Sequence, residues 1–330
     1  MKPPQAEFER LAEVIAGGVS FATLCHINPD GDCIGALLAM HIVLVKLGKK
    51  SHALSVHGVP SFLRFLPRAE EVAVAGAADL APDAAIVLDC GSRKRVGEEL
   101  AGVVERARVV VNIDHHLSNS AFGDLNYVDH DASAACEILY RFFRRCGFEI
   151  DADVAKCLYT GIMYDTGRFK HPTTTPEVFR VCSELLSVGV NPSEIAISVY
   201  DTRNRPHLAV LGYVLSNLTV SDGGRLVWAV VERERLREMG ATAEDSEGVV
   251  DQLGSLESCE LYLLFTGSED GKVRVNLRSR GRVDVSGIAA KFGGGGHLSA
   301  AGLRSAEKME ALVEKVLREC RERLGAAAPK

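Results

Sequence analysis

Short apolar runs alternate with helical patterns over roughly the first 190 residues of the chain. The short runs are rich in β-branched residues and predict strands, whereas the longer apolar patterns predict helices. Such alternation is typical of a parallel sheet covered by helices, so an α/β fold is expected here. The predicted strands are FATLCH (21–26), KSHALSV (50–56), AAIVLD (84–89) and RVVVNID (108–114). The predicted helices are 34–47, 133–146, 153–163 and 176–187.

The pattern changes after residues 189–206, a segment with proline and glycine at both ends that predicts a domain boundary. Residues 217–231 and 260–279 are each predicted to form a hairpin, and 249–256 and 306–324 to form helices. The second part is therefore expected to be a smaller α+β domain. The predicted division is a first domain over 1–190, a linker over 191–215 and a second domain over 216–330.

The charge balance limits the class of ligand. The chain has 38 Lys and Arg against 44 Asp and Glu, a formal net charge of −6. Because no broad basic field is present, binding of long nucleic acid, including long duplexes, is not expected. A polyanionic substrate should be small, or should meet positive charge supplied locally by bound metal.

Cysteine usage and hydropathy indicate the cellular setting. The nine cysteines include no C-x-x-C pair and mostly lie in apolar runs, so we expect reduced thiols in a cytoplasmic protein. The N-terminus lacks the profile of a signal peptide. The longest apolar stretch, 34–47, is too short to span a bilayer and contains His41 and Lys46, so no membrane association is expected.

Three predicted strands end on residues that can bind metal. One runs into His26, one into Asp89, and one into Asp114, His115 and His116. In open parallel sheets, ligands bind outside the carboxyl ends of the strands. The sequence therefore predicts that these side chains meet at one edge of the sheet.

Further carboxylates extend this set. Asp30 and Asp32 follow the first strand, and Asp165 follows a predicted helix. Four carboxylates with two imidazoles, and no thiolate, favour Mn²⁺ or Mg²⁺, with Fe or Co also compatible. Two divalent ions would balance the four negative charges. Held about 3.5–4 Å apart, they would activate a bridging hydroxide for phosphoester hydrolysis.

Each of these residues also has a simpler interpretation. Asp32 could be a helix N-cap with Asp30 beside it, and Asp89 could start a turn. A single histidine such as His26 is more often a packed or surface residue. Their joint placement at several strand ends is what favours a metal site.

The second domain contains a glycine run, residues 293–296, followed by His297. Consecutive glycines are costly to order in a helix or strand interior, so we expect either a phosphate-binding nest of backbone N–H groups or a flexible hinge. Nearby, Arg278 and Ser279 are candidate anion contacts, whereas Arg280 is expected to serve surface solubility.

Six segments together resemble the motifs of DHH phosphoesterases and of their DHHA1 domain. The similarity extends from about residue 21 to residue 302 and is greatest to the bacterial nano-RNase and pAp phosphatase group. Cys33, Ala36 and Asn276 depart from the family pattern without removing a candidate ligand. The segments are HINPDGDCIGA, VLDCGSRKRVG, NIDHHLSNSAFGDLNYVD, YTGIMYDTGRF, NLRSRG and FGGGGHLSAAG.

The resemblance implies a role for each candidate residue. Asp114 is expected to orient His115, and His116 to meet the scissile phosphate, in a cleft between the two domains. Asp32 and Asp89 would lie nearest both ions. The implied ligands of two Mn²⁺ ions, with Mg²⁺ or Co²⁺ as substitutes, are His26, Asp30, Asp32, Asp89, His115 and Asp165. The implied substrate contacts are Arg278, Ser279, Gly294, Gly295, Gly296 and His297, with Arg95 and Asn119 as secondary phosphate contacts.

The resemblance also implies a function. A homodimer is expected that hydrolyses pAp and short single-stranded RNA or DNA of about two to five nucleotides. The enzymatic alternative is a phosphodiesterase for cyclic di-AMP or pApA. An alternative of another class is a nucleotide-binding regulatory protein without turnover.

Overall fold

A computed structural model describes residues 5–74 and 79–326 of the chain. It divides into two compact units between Thr202 and Arg203, each with its own sheet and hydrophobic core. The division falls inside the predicted linker, 191–215. Residues 191–202 are largely helical and belong to the first unit, and residues 203–215 are largely helical and belong to the second.

The first unit is built on a parallel sheet of six strands, as expected from the alternation of strands and helices. In the order β3-β2-β1-β4-β5-β6, the chain first adds strands on one side of β1 and then on the other. The switch lies between the neighbouring strands β1 and β4, where doubly wound folds bind ligands. The strands are β1 Ser20–Cys25, β2 Lys50–Ser55, β3 Ala73–Val74, β4 Ala84–Leu88, β5 Val109–Asp114 and β6 Leu125–Val128.

Helices cover this sheet, and the second of them is buried along most of its length. Gly35 permits its close approach to the fifth helix, because a Cβ there would lie 2.6 Å from the Cys157 carbonyl oxygen. Gly161 likewise makes room for Cys136. The helices are α1 Gln5–Gly17, α2 Gly31–Lys46, α3 Glu98–Arg106, α4 Ala135–Cys146, α5 Ala152–Asp165, α6 Pro176–Ser187 and α7 Pro192–Ala196, with a π-helical turn over Ile197–Asp201.

The second unit has a mixed sheet in the order β11-β12-β10-β9-β8-β7. Both predicted hairpins form, as the antiparallel pairs β7–β8 and β9–β10, and only β8 and β9 pair in parallel among the described strands of this sheet. The strands are β7 Thr219–Ser221, β8 Leu226–Val231, β9 Leu261–Gly267, β10 Val273–Ser279, β11 Gly295–Gly296 and β12 Ala300–Ser305. The helices are α8 Arg205–Ser216, α9 Arg233–Glu238, α10 Val250–Leu253, α11 Val285–Lys291 and α12 Met309–Ala326.

The glycine run differs from its prediction. We expected the glycines to be too costly to order in a strand interior, yet Gly295 and Gly296 pair with β12 at the edge of the sheet. The absence of side chains is what allows the pairing, because a Cβ on Gly294 or Gly296 would collide with the backbone at Gly302 or Ala300. The glycines therefore permit close strand contact at the sheet edge.

The cysteines lie mostly in the apolar interior, as their positions in apolar runs predicted. All nine cysteines are free thiols, and all except Cys146 are buried. No helix among the described residues combines the length and the apolar character that crossing a membrane requires.

Candidate metal centre

The core of the site lies at the switch point between β1 and β4. His26 follows β1 directly and Asp89 follows β4, and 3.4 Å separates His26 Nε2 from Asp89 Oδ2. Asp89 has a left-handed backbone, with φ of 52°, and its N–H donates to the Ile113 carbonyl at 2.9 Å. A non-glycine residue held in this conformation stores strain, which is common at functional sites.

His115, just after β5, joins this pair to α5. Its Nε2 lies 3.4 Å from Asp89 Oδ1 and 3.1 Å from Asp165 Oδ2, and Asp165 is the last residue of α5. Its Nδ1 lies 3.3 Å from the Ala132 carbonyl oxygen, which fixes the ring orientation. The predicted meeting of strand ends with Asp165 is therefore present in the structure.

Asp30 combines the two roles that the sequence left open. It is the N-cap of α2, with Oδ1 accepting from the N–H groups of Asp32 and Cys33, each at 3.1 Å. Its Oδ2 lies 3.7 Å from His26 Nε2. One oxygen is thus used for capping while the other faces the cluster, and the cap is Asp30 rather than Asp32.

Asp32 is held from a distant part of the chain. Its Oδ2 accepts from the Ala135 N–H at 2.6 Å and its Oδ1 from the Cys136 N–H at 3.0 Å, at the start of α4. Helix N-termini carry unpaired N–H groups and partial positive charge, which suits this buried carboxylate. Asp32 Oδ2 also lies 3.9 Å from His115 Nε2. The α4 N-terminus therefore fixes a carboxylate at the edge of the cluster.

The structure corrects the role predicted for Asp114. We expected it to orient His115, but its Oδ1 accepts from Nδ1 of His116 at 2.7 Å, while Nδ1 of His115 contacts Ala132. Asn119 donates to Asp114 Oδ2 at 2.5 Å and to Asn112 Oδ1 at 2.8 Å, and its own Oδ1 accepts from Ala121 N–H. Asn119 therefore positions Asp114, and its predicted phosphate contact stays a prediction.

The electrostatics of the cluster favour a cation. Burial, and then the charges of Asp89 and Asp165, raise the pKa of Asp32 well above its usual value. Burial alone would lower the pKa of His26, but hydrogen bonds with Asp30 and Asp89 raise it well above its usual value. Arg95 opposes this effect. These directions favour protons on Asp32 and His26 in the absence of metal, and divalent ions compete with protons for the same ligand atoms.

The donor atoms fit a hard divalent ion. Asp89 Oδ1 is buried and has no hydrogen bond to any described residue. Burial raises the pKa of the nearby Cys90 thiol to about 12, so the available ligands are oxygen and nitrogen, not thiolate. Asp89 belongs to three groups of side chains whose ligand atoms all lie within 4.8 Å of one another: His26, Asp30 and Asp89; Asp32, Asp89 and His115; and Asp89, Asp114 and His116.

In the second unit, the predicted substrate contacts are largely engaged in the fold. The buried Ser279 hydroxyl donates to the Val283 carbonyl at 2.7 Å, and Arg278 Nε donates to Asp251 at 3.1 Å. Arg280 bonds three carbonyls of 254–257, so it supports the turn after α10 rather than surface solubility. The N–H groups of Gly293, Gly294 and His297 donate to carbonyls of Ala290, Ala289 and Ala300, which corrects the predicted nest at those positions.

Fold and site define the class of the protein. A doubly wound sheet with a carboxylate and imidazole cluster at its switch point, followed by a mixed-sheet unit, is typical of α/β phosphoesterases. Residues 20–162 match the model of the DHH family, N-terminal domain, and residues 223–322 match the DHHA1 domain. The chain belongs to the DHH family, as the six motifs predicted.

Similar proteins span nearly the whole chain. The bifunctional oligoribonuclease and PAP phosphatase NrnA of Thermus thermophilus is 37% identical over 94% of this chain and 92% of its own length. The protein of the same name from Bacillus subtilis is 28% identical, over 84% of this chain and 86% of its own.

Two solved structures share the fold. An exopolyphosphatase-related protein from Bacteroides fragilis superposes with a TM-score of 0.89 at 28% identity, covering 97% of this chain and 96% of that one. RecJ of Thermus thermophilus in complex with Mn²⁺ gives 0.55 at 15% identity, covering 98% of this chain and 55% of RecJ. The second likeness concerns the fold alone.

Proposed function

We propose that this protein is a two-metal phosphoesterase that hydrolyses pAp and short oligoribonucleotides. The observation that carries the proposal is the convergence of strand ends on Asp89, whose buried Oδ1 has no hydrogen bond to a described residue. The relatives named oligoribonuclease and PAP phosphatase, similar over most of the chain, support the substrate class.

The proposed ligands divide around Asp89. His26 and Asp30 would hold one ion, Asp32 and His115 the other, and Asp89 would bridge them because it belongs to both groups. Asp165 would complete the second position, since its Oδ2 lies 3.1 Å from His115 Nε2. Mn²⁺ is the proposed ion, with Mg²⁺ or Co²⁺ as substitutes. When bound, the two ions supply Lewis-acid polarisation of phosphoryl oxygens.

His116 is proposed to act on the scissile phosphate. Its hydrogen bond to the buried Asp114 carboxylate is expected to keep a proton on Nδ1. Burial alone would raise the pKa of Asp114, but the hydrogen bond from His116 lowers it below its usual value, which keeps the carboxylate charged. In the doubly protonated imidazolium form, whose charge the Asp114 carboxylate would stabilise, His116 would then donate from Nε2, as a hydrogen-bond donor to the phosphate or as the acid that protonates the leaving oxygen.

Substrate length is proposed to be limited by a second anchor in the DHHA1 unit. Arg278 is the proposed contact for the remaining phosphate, with Gly295, Gly296 and the His297 side chain beside it. Two unlike substrates suit one site, because both present a phosphate beside a nucleoside and the chemistry involves only the phosphoryl group. The exclusion of long duplexes and the homodimer are part of this proposal.

A substrate panel tests the function. Purified protein is assayed with Mn²⁺, and in parallel with EDTA, on pAp, pApA, cyclic di-AMP, a 5-mer RNA and a 24-mer RNA. We expect turnover of pAp and the 5-mer, a rate at least about a hundredfold lower on the 24-mer, and none with EDTA. Size-exclusion chromatography with light scattering gives the oligomeric state.

Other results of the substrate panel would contradict part of this proposal or support an alternative function. Comparable rates on the 24-mer would remove the limit on substrate length. Preferential turnover of cyclic di-AMP would support the phosphodiesterase alternative. Binding of these nucleotides without turnover of any would favour a regulatory protein.

A further inference from the structure

Next to the metal centre, the backbone after α5 is strained. Gly167, Arg168 and Phe169 have φ values of 56°, 61° and 61°, three consecutive residues in the left-handed region. Two of them are bulky side chains that rarely adopt this conformation. Asp165, the proposed ligand, lies three residues before Arg168 in the chain.

The surroundings hold this strained turn in place. The buried Thr166 hydroxyl donates to the Ile162 carbonyl at 2.7 Å and accepts from the Phe169 N–H at 3.2 Å. His171 Nδ1 lies 3.0 Å from the Asp165 carbonyl oxygen, and the Phe169 ring stacks on Phe179 at 5.5 Å. Strain maintained by so many contacts is typical of a segment that positions a functional group.

The side chain so positioned is a guanidinium lying on an aromatic ring. Cζ of Arg168 is 3.9 Å from the centroid of Tyr200. The Arg168 side chain is exposed, and no hydrogen bond or ion pair engages its guanidinium among the described residues. It differs in this from arginines such as Arg180, which bonds Glu177 and Glu184 on α6.

Further rings extend the stack toward the cluster. Tyr200 is stacked on Tyr164 and Tyr164 on Phe62, with centroids 6.3 and 6.2 Å apart and an interplanar angle of 13° in both pairs. Tyr164 precedes Asp165 and packs against Gly31, where a Cβ would lie 2.5 Å from the ring. Gly31 in turn follows Asp30. The stack is thus fixed to two ligand-bearing segments of the first unit.

We propose that Arg168 is a specificity-determining residue whose guanidinium plane stacks on the nucleobase next to the scissile phosphate. Proteins that bind single-stranded nucleic acid stack bases on aromatic rings and on arginine planes with little sequence preference. A planar, exposed cation supported from beneath by Tyr200 offers such a surface. The inference rests on the proposed function in taking a nucleotide as substrate.

The test compares a ligand that has a base with one that lacks it. Calorimetry on the Mn²⁺-loaded protein measures Kd for AMP and for ribose 5-phosphate, which share the sugar phosphate. We expect about tenfold tighter binding of AMP by the unaltered protein, since stacking on a planar side chain stabilises a bound base. Arg168→Gly should bring the two Kd values within about twofold, mainly by weakening AMP binding.

The variants separate stacking from charge and from folding. Arg168→Gly suits a left-handed position, so its Tm should not fall by more than about 2 °C. Arg168→Lys keeps the charge without the plane and should behave like Arg168→Gly. Arg235→Lys is the matched control, because Arg235 is also exposed over a tyrosine, Tyr213 at 5.3 Å, but in the second unit. It should leave both Kd values unchanged.

Other results overturn the inference. If Arg168→Gly weakens the binding of AMP and of ribose 5-phosphate equally, Arg168 contacts the phosphate and not the base. If neither Kd changes, Arg168 has only a structural role. No AMP preference in the unaltered protein would also contradict stacking. The Kd comparison needs no catalysis, so it tests the stacking independently of turnover. The proposed function is tested by the substrate panel and fails if the protein turns over none of those substrates.

Discussion

The carboxyl edge of the first sheet and the glycine-rich part of the second unit differ in how their polar atoms are satisfied. At the sheet edge, carboxylate oxygens and imidazole nitrogens of six side chains approach to 3.1–3.9 Å, and Asp89 Oδ1 has no hydrogen bond to a described residue. Near the glycine run, the Ser279 hydroxyl and three N–H groups bond their own unit. The first arrangement leaves buried ligand atoms that a cation could satisfy, whereas hydrogen bonds within the fold account for the polar groups of the second.

The largest expected effect comes from Asp89. If it bridges two ions, Asp89→Ala should lower kcat at least about 10³-fold and lose most bound manganese, because both ions share this ligand. Elemental analysis and steady-state kinetics on pAp measure the two quantities. The matched control is Asp124→Asn, which alters a carboxylate of the same unit that accepts from the Val110 N–H instead. Near-normal manganese in Asp89→Ala would contradict the bridging role.

The next effect separates chemistry from metal binding. His116→Gln should lower kcat about 10²- to 10³-fold while manganese content stays unchanged, since His116 is proposed to act on the phosphate. Asp114→Asn removes the charge that holds the Nδ1 proton, and a decrease of about tenfold is expected. Both are measured on pAp with elemental analysis alongside. Loss of metal in His116→Gln would mean that it is a ligand.

A smaller effect tests the second unit. If Arg278 binds the remaining phosphate, Arg278→Lys should raise KM for pAp about tenfold without changing kcat. Arg274→Lys is the control on the same strand, because Arg274 pairs with Glu247 and lies four residues away. An unchanged KM in Arg278→Lys would contradict the proposed contact with the substrate phosphate.

Ser279→Ala should act on stability instead. Its buried hydroxyl donates to the Val283 carbonyl and accepts from the Gly281 N–H, so removal should lower the free energy of unfolding by about 1 kcal/mol. KM should not change. A raised KM with unaltered stability, by thermal denaturation, would return Ser279 to the substrate contacts that the sequence predicted.

The sequence predicted the site best where the residues follow regular strands, because parallel strands bring residues that are distant in sequence to the same edge of the sheet. The strands that deliver His26, Asp89 and His115 were predicted within one residue of their ends, because β-branched runs and parallel packing fix them. The N-terminal contact between Asp32 and α4 was not predicted, since it joins segments about 100 residues apart and α4 begins on alanines rather than a capping side chain.

The remaining errors have physical causes too. The pairing of Asp114 with His115 was implied by the family resemblance, yet successive residues of an extended chain point to opposite sides, so Asp114 bonds His116 two residues further on. The helix α3 was not predicted, although its glutamates and its buried Leu100, Val103 and Val104 form an amphipathic pattern, and β11 was excluded because glycine is a poor strand former. β11 nevertheless pairs with β12 at the sheet edge, because a side chain at Gly296 would collide with the Ala300 carbonyl. The need for space there outweighs the poor strand propensity of glycine.

The smallest expected effect distinguishes strand from nest within the glycine run itself. Around Gly295 a Cβ would meet nothing within 4 Å, so Gly295→Ala should leave Tm within about 2 °C, whereas KM for pAp should rise about twofold or more because Gly295 belongs to the proposed substrate anchor. An unchanged KM would contradict that contact. Gly294→Ala should lower Tm clearly, because its Cβ would meet the Gly302 carbonyl and Leu303. Thermal denaturation and kinetics of both variants decide the matter. A raised KM with normal Tm in Gly295→Ala would show that this backbone approaches the substrate. The glycine-rich part of the second unit would then be a ligand-binding region, like the carboxyl edge of the first sheet.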